Sequence, residues 1–269
     1  MCRLFGFQAQ IQGPPRYLTA SDQAFVQLSQ THADGWGLAA YQAGEVKLKH
    51  GLLPALHDPE FKRFSESLHT QILIAHLRLA TVGENKLDNN HPFVYQNWVF
   101  AHNGNIKNFS HYRELILSQI CSHFRAEIQG DTDSELIFYF ILSELERWGL
   151  VSRQYPYSIK DLGRSIQWAL ENLQTLIGAF SKQQGPPTET YISFLMSNGE
   201  VLFAHQGGQP LYYRFFSEHL QAEKAQLIFC SEPLDDARDW LAMPTGALFA
   251  VDSGLKILSL REAAKEICA

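Results

Sequence analysis

The chain has 269 residues, of which 45% are hydrophobic and 19% charged, and its formal net charge at pH 7 is −6. This length and composition allow a sizeable buried core, and the negative charge argues against a basic surface for nucleic acid or anionic lipid. Neither an apolar run of the roughly 18 residues that span a membrane nor a secretory signal is visible in the sequence. We therefore expect a cytoplasmic protein that binds neither nucleic acid nor membranes.

The four cysteines, Cys2, Cys121, Cys230 and Cys268, are scattered along the chain, and no C-x-x-C pair occurs. This spacing supports neither a zinc ribbon nor a disulfide framework. The sequence also lacks an H-E-x-x-H motif, a Gly-rich phosphate loop and a G-x-S-x-G elbow. We expect no metal site and no cofactor.

Hydrophobic periodicity and turn residues predict mainly strands in the first half of the chain. A turn is predicted at Ala43-Gly44, between two of these strands. The predicted strands are 2–9, 36–41, 46–48, 72–77 and 99–101, and the predicted helices are 21–30 and 59–68.

Two long helices are predicted next. Thr132 and Glu135 form a T-x-x-E capping box, and the helix that follows is apolar nearly all round, which indicates burial. The second helix starts near Ser158. Strands grouped before and after these helices, rather than alternating with them, predict an α+β fold in a single domain over 1–269. The later elements are a loop at 181–189 and strands at 190–196, 200–205, 211–216, 226–230, 247–252 and 255–259.

A cysteine occupies position 2. Processing commonly removes Met1 when the second residue is small, and the α-amine and the thiol then belong to one residue. An α-amine has a reference pKa of roughly 7.7–8.0, so it can accept the thiol proton near neutral pH. Cys2 is therefore a candidate N-terminal nucleophile. The alternative is a small buried residue at the start of a strand.

Polar residues at the ends of predicted elements also have both a functional and a structural interpretation. Asn103-Gly104 can supply an amide and an N–H to an oxyanion hole, or form a hairpin turn. Arg78 suits bidentate capture of a carboxylate, or a structural salt bridge. Asp133, in the first turn of a helix, can pair with a substrate ammonium or only complement the helix dipole.

Six segments together resemble the class II (N-terminal nucleophile) glutamine amidotransferases. They occur in the family's order between residue 1 and about 140: MCRLFG, HADGWG, RLAT, NNHPF, AHNGN and GDTDSE. The resemblance implies a four-layer αββα sandwich. It also implies that Cys2 is the nucleophile and its amine the base, with Asn103 and the Gly104 N–H as the oxyanion hole. By the same resemblance Arg78 binds the substrate α-carboxylate and Asp133 its α-ammonium. The implied pocket walls are Thr81, His91 and the turn of Asp34, Gly35 and Trp36.

The resemblance favours the stand-alone, YafJ-like branch of this family, since Leu79 replaces the Trp that follows the Arg in synthases of the glucosamine-phosphate type. Some relatives of this branch are γ-glutamyl hydrolases. The expected function is cleavage of the γ-amide of glutamine or of a γ-glutamyl compound. One alternative is a glutaminase subunit that delivers ammonia to a separate synthase as its partner. Another is a non-catalytic interaction protein, if Cys2 stays blocked.

Overall fold

The computed structural model describes residues 2–19, 24–79, 84–152, 158–218 and 221–260. Within these ranges the chain forms two β-sheets and five α-helices. The strands are β1 Arg3–Gly13, β2 Trp36–Gln42, β3 Glu45–Gly51, β4 Thr70–Leu77, β5 Phe93–Tyr95, β6 Trp98–Asn105, β7 Tyr191–Ser197, β8 Leu202–His205, β9 Tyr212–Glu218, β10 Gln221–Cys230, β11 Leu241–Ala242, β12 Leu248–Val251 and β13 Ile257–Leu260. The helices are α1 Pro59–Glu66, α2 Phe109–Gln119, α3 Ser122–Arg125, α4 Asp133–Arg147 and α5 Ile159–Ile177.

The two sheets are antiparallel. One has the strand order β11-β9-β10-β1-β4-β2-β3, and the other has the order β13-β12-β8-β7-β6-β5. The β2–β3 hairpin turns at Ala43 and Gly44, whose φ angles of 52° and 81° suit the tight turn predicted from the sequence. Strand β1, which follows Cys2, lies between β10 and β4 in the seven-stranded sheet.

A hydrophobic core lies between the sheets. Side chains alternate along a strand, so every second residue faces this core. The residues that show the alternation are Leu4 on β1, Ile72 and Ile74 on β4, and Val99 and Ala101 on β6.

Each sheet is also covered on its outer face. Helices α4 and α5 pack on the six-stranded sheet. The outer face of the seven-stranded sheet is covered by α1 and by short 3-10 helices at Phe25–Gln30 and Ala55–His57. Helix, sheet, sheet and helix form the α+β fold that the element order predicted and the four-layer αββα sandwich that the resemblance implied, although the second helical layer is thin.

Most predicted elements are present, with small shifts at their ends. The helix predicted at 21–30 is a 3-10 helix over Phe25–Gln30, and 21–23 lie outside the described residues. Strands β5 and β11 and helices α2 and α3 were not predicted. Their signals are weak because β5 and β11 have only three and two residues, α3 is one turn long, and α2 buries only Ile116.

The predicted start of α4 is correct, but the capping box is only half formed. The Thr132 hydroxyl accepts the N–H of Glu135 at 3.3 Å. The Glu135 carboxylate does not return to Thr132, because it accepts the N–H groups of Gln129 and Gly130 at 3.0 and 2.7 Å. The loop before α4 turns back over the helix end and supplies these donors. The predicted burial of α4 is confirmed over Asp133 to Leu145. Among the helices described, none has the length and apolar character that crossing a membrane requires.

Candidate active site

Cys2 lies at the start of β1, beside the end of β4. Its Sγ lies 3.4 Å from both the N–H and the carbonyl oxygen of Leu79. Arg3 donates to the Cys2 carbonyl at 3.2 Å through Nη1, and its Nη2 lies 3.1 Å from the Glu232 carboxylate. The predicted nucleophile is half-buried and is held against the backbone of the adjacent strand.

Strand alternation directs three predicted site residues toward the space between the sheets. Cys2 comes two residues before Leu4 on the chain, Arg78 follows β4 in phase with Ile74, and Asn103 follows Ala101 on β6. The positive charge of Arg78 and the negative charge of Asp133 both act on the Cys2 thiol. This end of the inter-sheet space therefore brings the predicted nucleophile close to one cationic and one anionic side chain.

The surroundings of Cys2 favour the protonated form of its thiol. Burial raises its pKa, the Leu79 N–H and the Arg78 charge oppose that shift, and the Asp133 charge adds to it. Because a thiol is a weak nucleophile until it loses its proton, this position requires a base.

Asn103 is 2% exposed, and its Oδ1 makes no hydrogen bond among the described residues. Buried amide oxygens are usually satisfied within the fold. The Asn103 carboxamide faces the space between the sheets. Its oxygen is therefore available to a ligand that binds there.

The Gly104 N–H points off an open edge of β6. Gly104 pairs with Ile192 in the register of β6 and β7. The Ile192 N–H donates to the Gly207 carbonyl oxygen at 2.8 Å, on the side of β7 that faces away from β6. Gly104 and Ile192 are therefore a pair that exchanges no hydrogen bonds. In such a pair the Gly104 N–H points away from β7. Strand β5 ends opposite Phe100, short of this position. A side chain at Gly104 would place its Cβ 1.9 Å from the Tyr191 carbonyl oxygen, so glycine is required.

Asp133 lies near the same end of β6. Ile106, just after the strand, donates its N–H to Asp133 Oδ2 at 2.6 Å, and Ser134 Oγ lies 3.3 Å from Oδ1. Burial raises the pKa of the Asp133 carboxyl, and the backbone N–H groups of Ile106 and Ser134 oppose that shift. The first turn of α4 thus holds a buried carboxylate at the end of the strand that carries Asn103 and Gly104.

The Arg78 guanidinium is buried among neutral oxygens. Nη1 donates to Asn85 Oδ1 at 3.2 Å and to Asn90 Oδ1 at 3.4 Å, and Nη2 donates to the Glu84 carbonyl at 2.9 Å. Burial lowers the pKa of Arg78, and the negative charge of Asp34 opposes that shift. These three bonds help to fix the direction of the guanidinium.

The predicted turn at Asp34 and Gly35 is tied to Arg78 by two backbone bonds. Asp34 N–H donates to the Arg78 carbonyl at 3.2 Å, and Arg78 N–H donates to the Gly35 carbonyl at 2.9 Å. Gly35 has a φ of 129°, and a Cβ there would lie 2.7 Å from both Asn90 Nδ2 and the Gly51 carbonyl oxygen. Only glycine fits this close approach.

The other predicted pocket walls lie in different surroundings. The Trp36 side chain is buried in the outer core of its sheet, where Nε1 donates to Asp58 at 2.8 Å. The His91 ring is also buried, with its centroid 4.2 Å from that of His76. Thr81 lies outside the described residues.

His76 and His91 form a buried pair that the sequence analysis did not single out as a pair. None of their four ring nitrogens has a hydrogen-bond partner among the described residues. Burial lowers the pKa of both rings well below the usual value, and the nearby positive charge of Arg78 adds to this shift. Both rings are therefore neutral. In the part of the chain that the structure describes, no group of three or more His, Cys, Asp or Glu side chains is arranged to hold a metal ion.

Asn89 and Asn90 have site roles that sequence reasoning missed. Asn89 Nδ2 donates to Asp131 Oδ1 at 2.7 Å and to the Glu84 carbonyl at 2.9 Å, and Asn89 Oδ1 accepts the Asp131 N–H at 3.1 Å. Asn90 contacts Arg78. The two amides thus join the segment around Arg78 to the loop before α4. Their place in the NNHPF segment was the available signal.

Comparisons with known proteins show which proteins this chain is similar to. The family model described as class-II glutamine amidotransferases matches residues 1–217. A Haemophilus influenzae protein named as a glutamine amidotransferase is 28% identical over 99% of this chain and 89% of its own length. YafJ of Escherichia coli, also named as a glutamine amidotransferase, is 30% identical over 76% of this chain and 72% of its own. Glutamine phosphoribosylpyrophosphate amidotransferase of B. subtilis shares the fold, with a TM-score of 0.63 and 17% identity over 97% of this chain and 49% of that one.

The sandwich continues beyond the matched residues. Strand β10 pairs directly with β1, and β12 pairs with β8 in the other sheet. The segment after residue 217 therefore completes both sheets, including the sheet whose central strand begins next to Cys2.

Proposed function

The chain belongs to the class II glutamine amidotransferase family, and we propose that it cleaves the γ-amide of glutamine or of a γ-glutamyl compound through a thioester on Cys2. The observation that carries this proposal is the clustering of unlike charges around one thiol. The Cys2 sulfur lies 3.4 Å from the N–H of Leu79, the residue after Arg78, and Asp133 accepts the Ile106 N–H at the end of β6. The Arg78 charge lowers the pKa of the thiol and the Asp133 charge raises it. An amino acid head group, with one carboxylate and one ammonium, matches such a pair.

The proton of the thiol goes to the Cys2 α-amine once Met1 is removed. The amine accepts the proton, directly or through one water, and the sulfur attacks the γ-carbon of the amide. The amine then protonates the departing nitrogen, so the C–N bond breaks and a γ-glutamyl thioester remains. Water adds to the thioester carbon, the C–S bond breaks, and the acid is released with the thiol restored. The raised pKa of the Cys2 thiol supports the need for this base.

The oxyanion that forms in each half of the reaction lies between the Asn103 amide and the Gly104 N–H. Support comes from the burial of Asn103, its orientation into the inter-sheet space, and the direction of the Gly104 N–H off the strand edge. Loss of one such donor costs about 2.7–4 kcal/mol of barrier.

Arg78 binds the α-carboxylate and Asp133 binds the α-ammonium. Hydrogen bonds to three neutral oxygens hold the Arg78 guanidinium at the end of β4. The Ile106 N–H holds the Asp133 carboxylate through Oδ2 at 2.6 Å.

A single added residue tests the nucleophile and the base together. A chain with one uncleavable residue ahead of Cys2 keeps the thiol but converts the amine to an amide, which is not a base. We expect no hydrolysis of glutamine or γ-glutamyl amides, with recovery after a specific protease trims the residue. Cys2→Ala, which removes little volume, should be inactive and folded. Full activity of the untrimmed chain, confirmed by intact mass, contradicts the proposal.

A glutaminase subunit that delivers ammonia to a separate synthase is the second candidate. The observation behind it is that the B. subtilis amidotransferase matches this chain over only 49% of its own length. Robust hydrolysis by the purified chain favours the first candidate, and activity that requires an added partner favours the second. An intact mass that still includes Met1 in the native host favours a non-catalytic interaction protein.

A further inference from the structure

The side chain of His102 faces away from the proposed reaction, toward helix α4. His102 immediately precedes Asn103 on β6, so the two side chains lie on opposite faces of the sheet. His102 is 1% exposed. Its Nδ1 lies 2.8 Å from Ser134 Oγ, and its Nε2 lies 2.9 Å from the Tyr191 carbonyl oxygen. Ser134 in turn lies next to Asp133, the proposed partner of the substrate ammonium.

The hydrogen-bond partners of His102 determine which of its ring nitrogens carries the proton. The Tyr191 carbonyl can only accept, so Nε2 of His102 carries a proton. Burial lowers the pKa of His102, although the Asp133 charge opposes that shift, and the ring is neutral. A neutral ring has one N–H, so Nδ1 is an acceptor and the Ser134 hydroxyl donates to it.

A serine hydroxyl has one proton to donate. With that proton on His102 Nδ1 at 2.8 Å, it is not available to Asp133 Oδ1, which lies 3.3 Å from Ser134 Oγ. The Asp133 carboxylate is positioned instead by backbone N–H groups of Ile106 and Ser134. The lone pair of Asp133 Oδ1 that faces Ser134 therefore accepts no hydrogen bond from the Ser134 hydroxyl.

We propose that His102 is a positioning residue that draws the Ser134 hydroxyl proton away from Asp133, and so keeps Asp133 Oδ1 ready for a cationic α-amine of the substrate. This inference rests on the proposed function, in which Asp133 binds that amine. His102 itself contacts neither the substrate nor the reacting atoms. His102 therefore preserves binding of a free α-ammonium against competition from the Ser134 hydroxyl.

Three variants separate this role from a general structural one. His102→Phe keeps a ring of similar size but removes Nδ1, which lets the Ser134 hydroxyl turn to Asp133. We expect KM for glutamine to rise about tenfold, the size of one charge-assisted hydrogen bond. KM for glutaramate, the same amide without the α-amine, should stay within about twofold of the parent value. Ser134→Ala, added to His102→Phe, removes the competing hydroxyl and should return KM for glutamine to within about threefold of the parent, and Ser134→Ala alone should change it little.

Equal increases for both amides, or no recovery in the double variant, overturn the proposal. If His102→Phe does not fold, His102→Gln provides the same comparison, with melting temperature as the check on folding. A chain that hydrolyses neither amide in any form refutes the proposed function, and the proton on His102 is then settled by a second measurement that needs no turnover.

That measurement is nitrogen NMR of the chain labelled with ¹⁵N-histidine, with the His102 signals assigned by their loss in the His102 variant. The proposal predicts a neutral ring with the proton on Nε2 at pH 7. An imidazolium, or a neutral ring with the proton on Nδ1, overturns it whether or not the chain is active, because Ser134 is then free to donate to Asp133.

Discussion

Asn90 anchors Arg78 to the end of strand β3. Its Oδ1 accepts a hydrogen bond from Arg78 Nη1 at 3.4 Å, while its Nδ2 donates to the Gly51 carbonyl at 2.9 Å. The carboxamide is 1% exposed and packs directly on Gly35. The direction of the guanidinium therefore depends on a residue for which the account proposes no contact with the substrate.

Asn90→Ala should loosen Arg78 and weaken substrate binding with little effect on kcat. We expect a rise in KM of about three- to tenfold for an amide with a free α-carboxylate, because one hydrogen bond to a charged group is lost. The same amide esterified at that carboxylate should show a smaller change. Gln30→Ala, at an exposed amide, is the matched control. An equal change for acid and ester would indicate a general loss of structure.

Arg78→Lys should weaken binding of substrates with a free α-carboxylate, because an ammonium cannot reproduce the two-pronged contact of a guanidinium. The measurement is kcat/KM for the acid and for its ester. We expect the loss to shrink when the carboxylate is esterified. Identical losses for the two substrates would show that Arg78 only supports the turn at Gly35.

Asp133→Asn should stabilise the fold while it impairs substrate binding. Burial raises the folded-state pKa of Asp133 above its unfolded value, so the ionised carboxyl costs stability as the pH rises through that pKa. The amide has no such cost and can still accept the Ile106 N–H. We expect a higher melting temperature for the variant at pH 8, with a smaller gain at pH 5. Destabilisation at both pH values would mean that the carboxylate is needed for folding.

The His76 and His91 pair should make the protein acid-labile. Their folded pKa values lie below the unfolded value of roughly 6.5, so the unfolded chain binds more protons and stability falls as the pH drops below about 6.5. Each buried neutral histidine contributes a slope of about 1.4 kcal/mol per pH unit. His76→Phe should reduce the slope of the unfolding free energy, measured with denaturant between pH 7 and 5, by about one proton. His69→Phe, at an exposed histidine, should not, and an unchanged slope in His76→Phe would contradict this account.

The strands and long helices were predictable because their signals are local. The all-round apolar run after Thr132 indicated a buried helix, and the turn at Ala43-Gly44 indicated a hairpin. Helix α2 was missed because it has one buried residue, Ile116, and its N-terminal Asn108 makes no side-chain cap. The pairing of Glu135 with Gln129 and Gly130 depends on a loop path that no local pattern encodes.

The candidate site residues could be named from the sequence, but the residues that support them could not. The motif order indicated Cys2, Arg78 and Asp133, whose catalytic and binding roles stay predictions. The roles of Asn90 and His102 depend on contacts between distant segments, such as the bond from Asn90 to Gly51. For the same reason Trp36, in the same motif as Gly35, has its side chain in the outer core.

The central claim is that the sulfur of Cys2 carries the γ-glutamyl group, and the most direct test is mass spectrometry after reaction with a glutamine analogue bearing an electrophile at the γ-carbon. We predict one adduct, located on Cys2 of a chain that has lost Met1, and its suppression by excess glutamine. Cys230 should stay unlabelled, because burial raises its pKa to about 12. Label at Cys121 or Cys230, or no adduct on a chain that hydrolyses glutamine, would contradict the account.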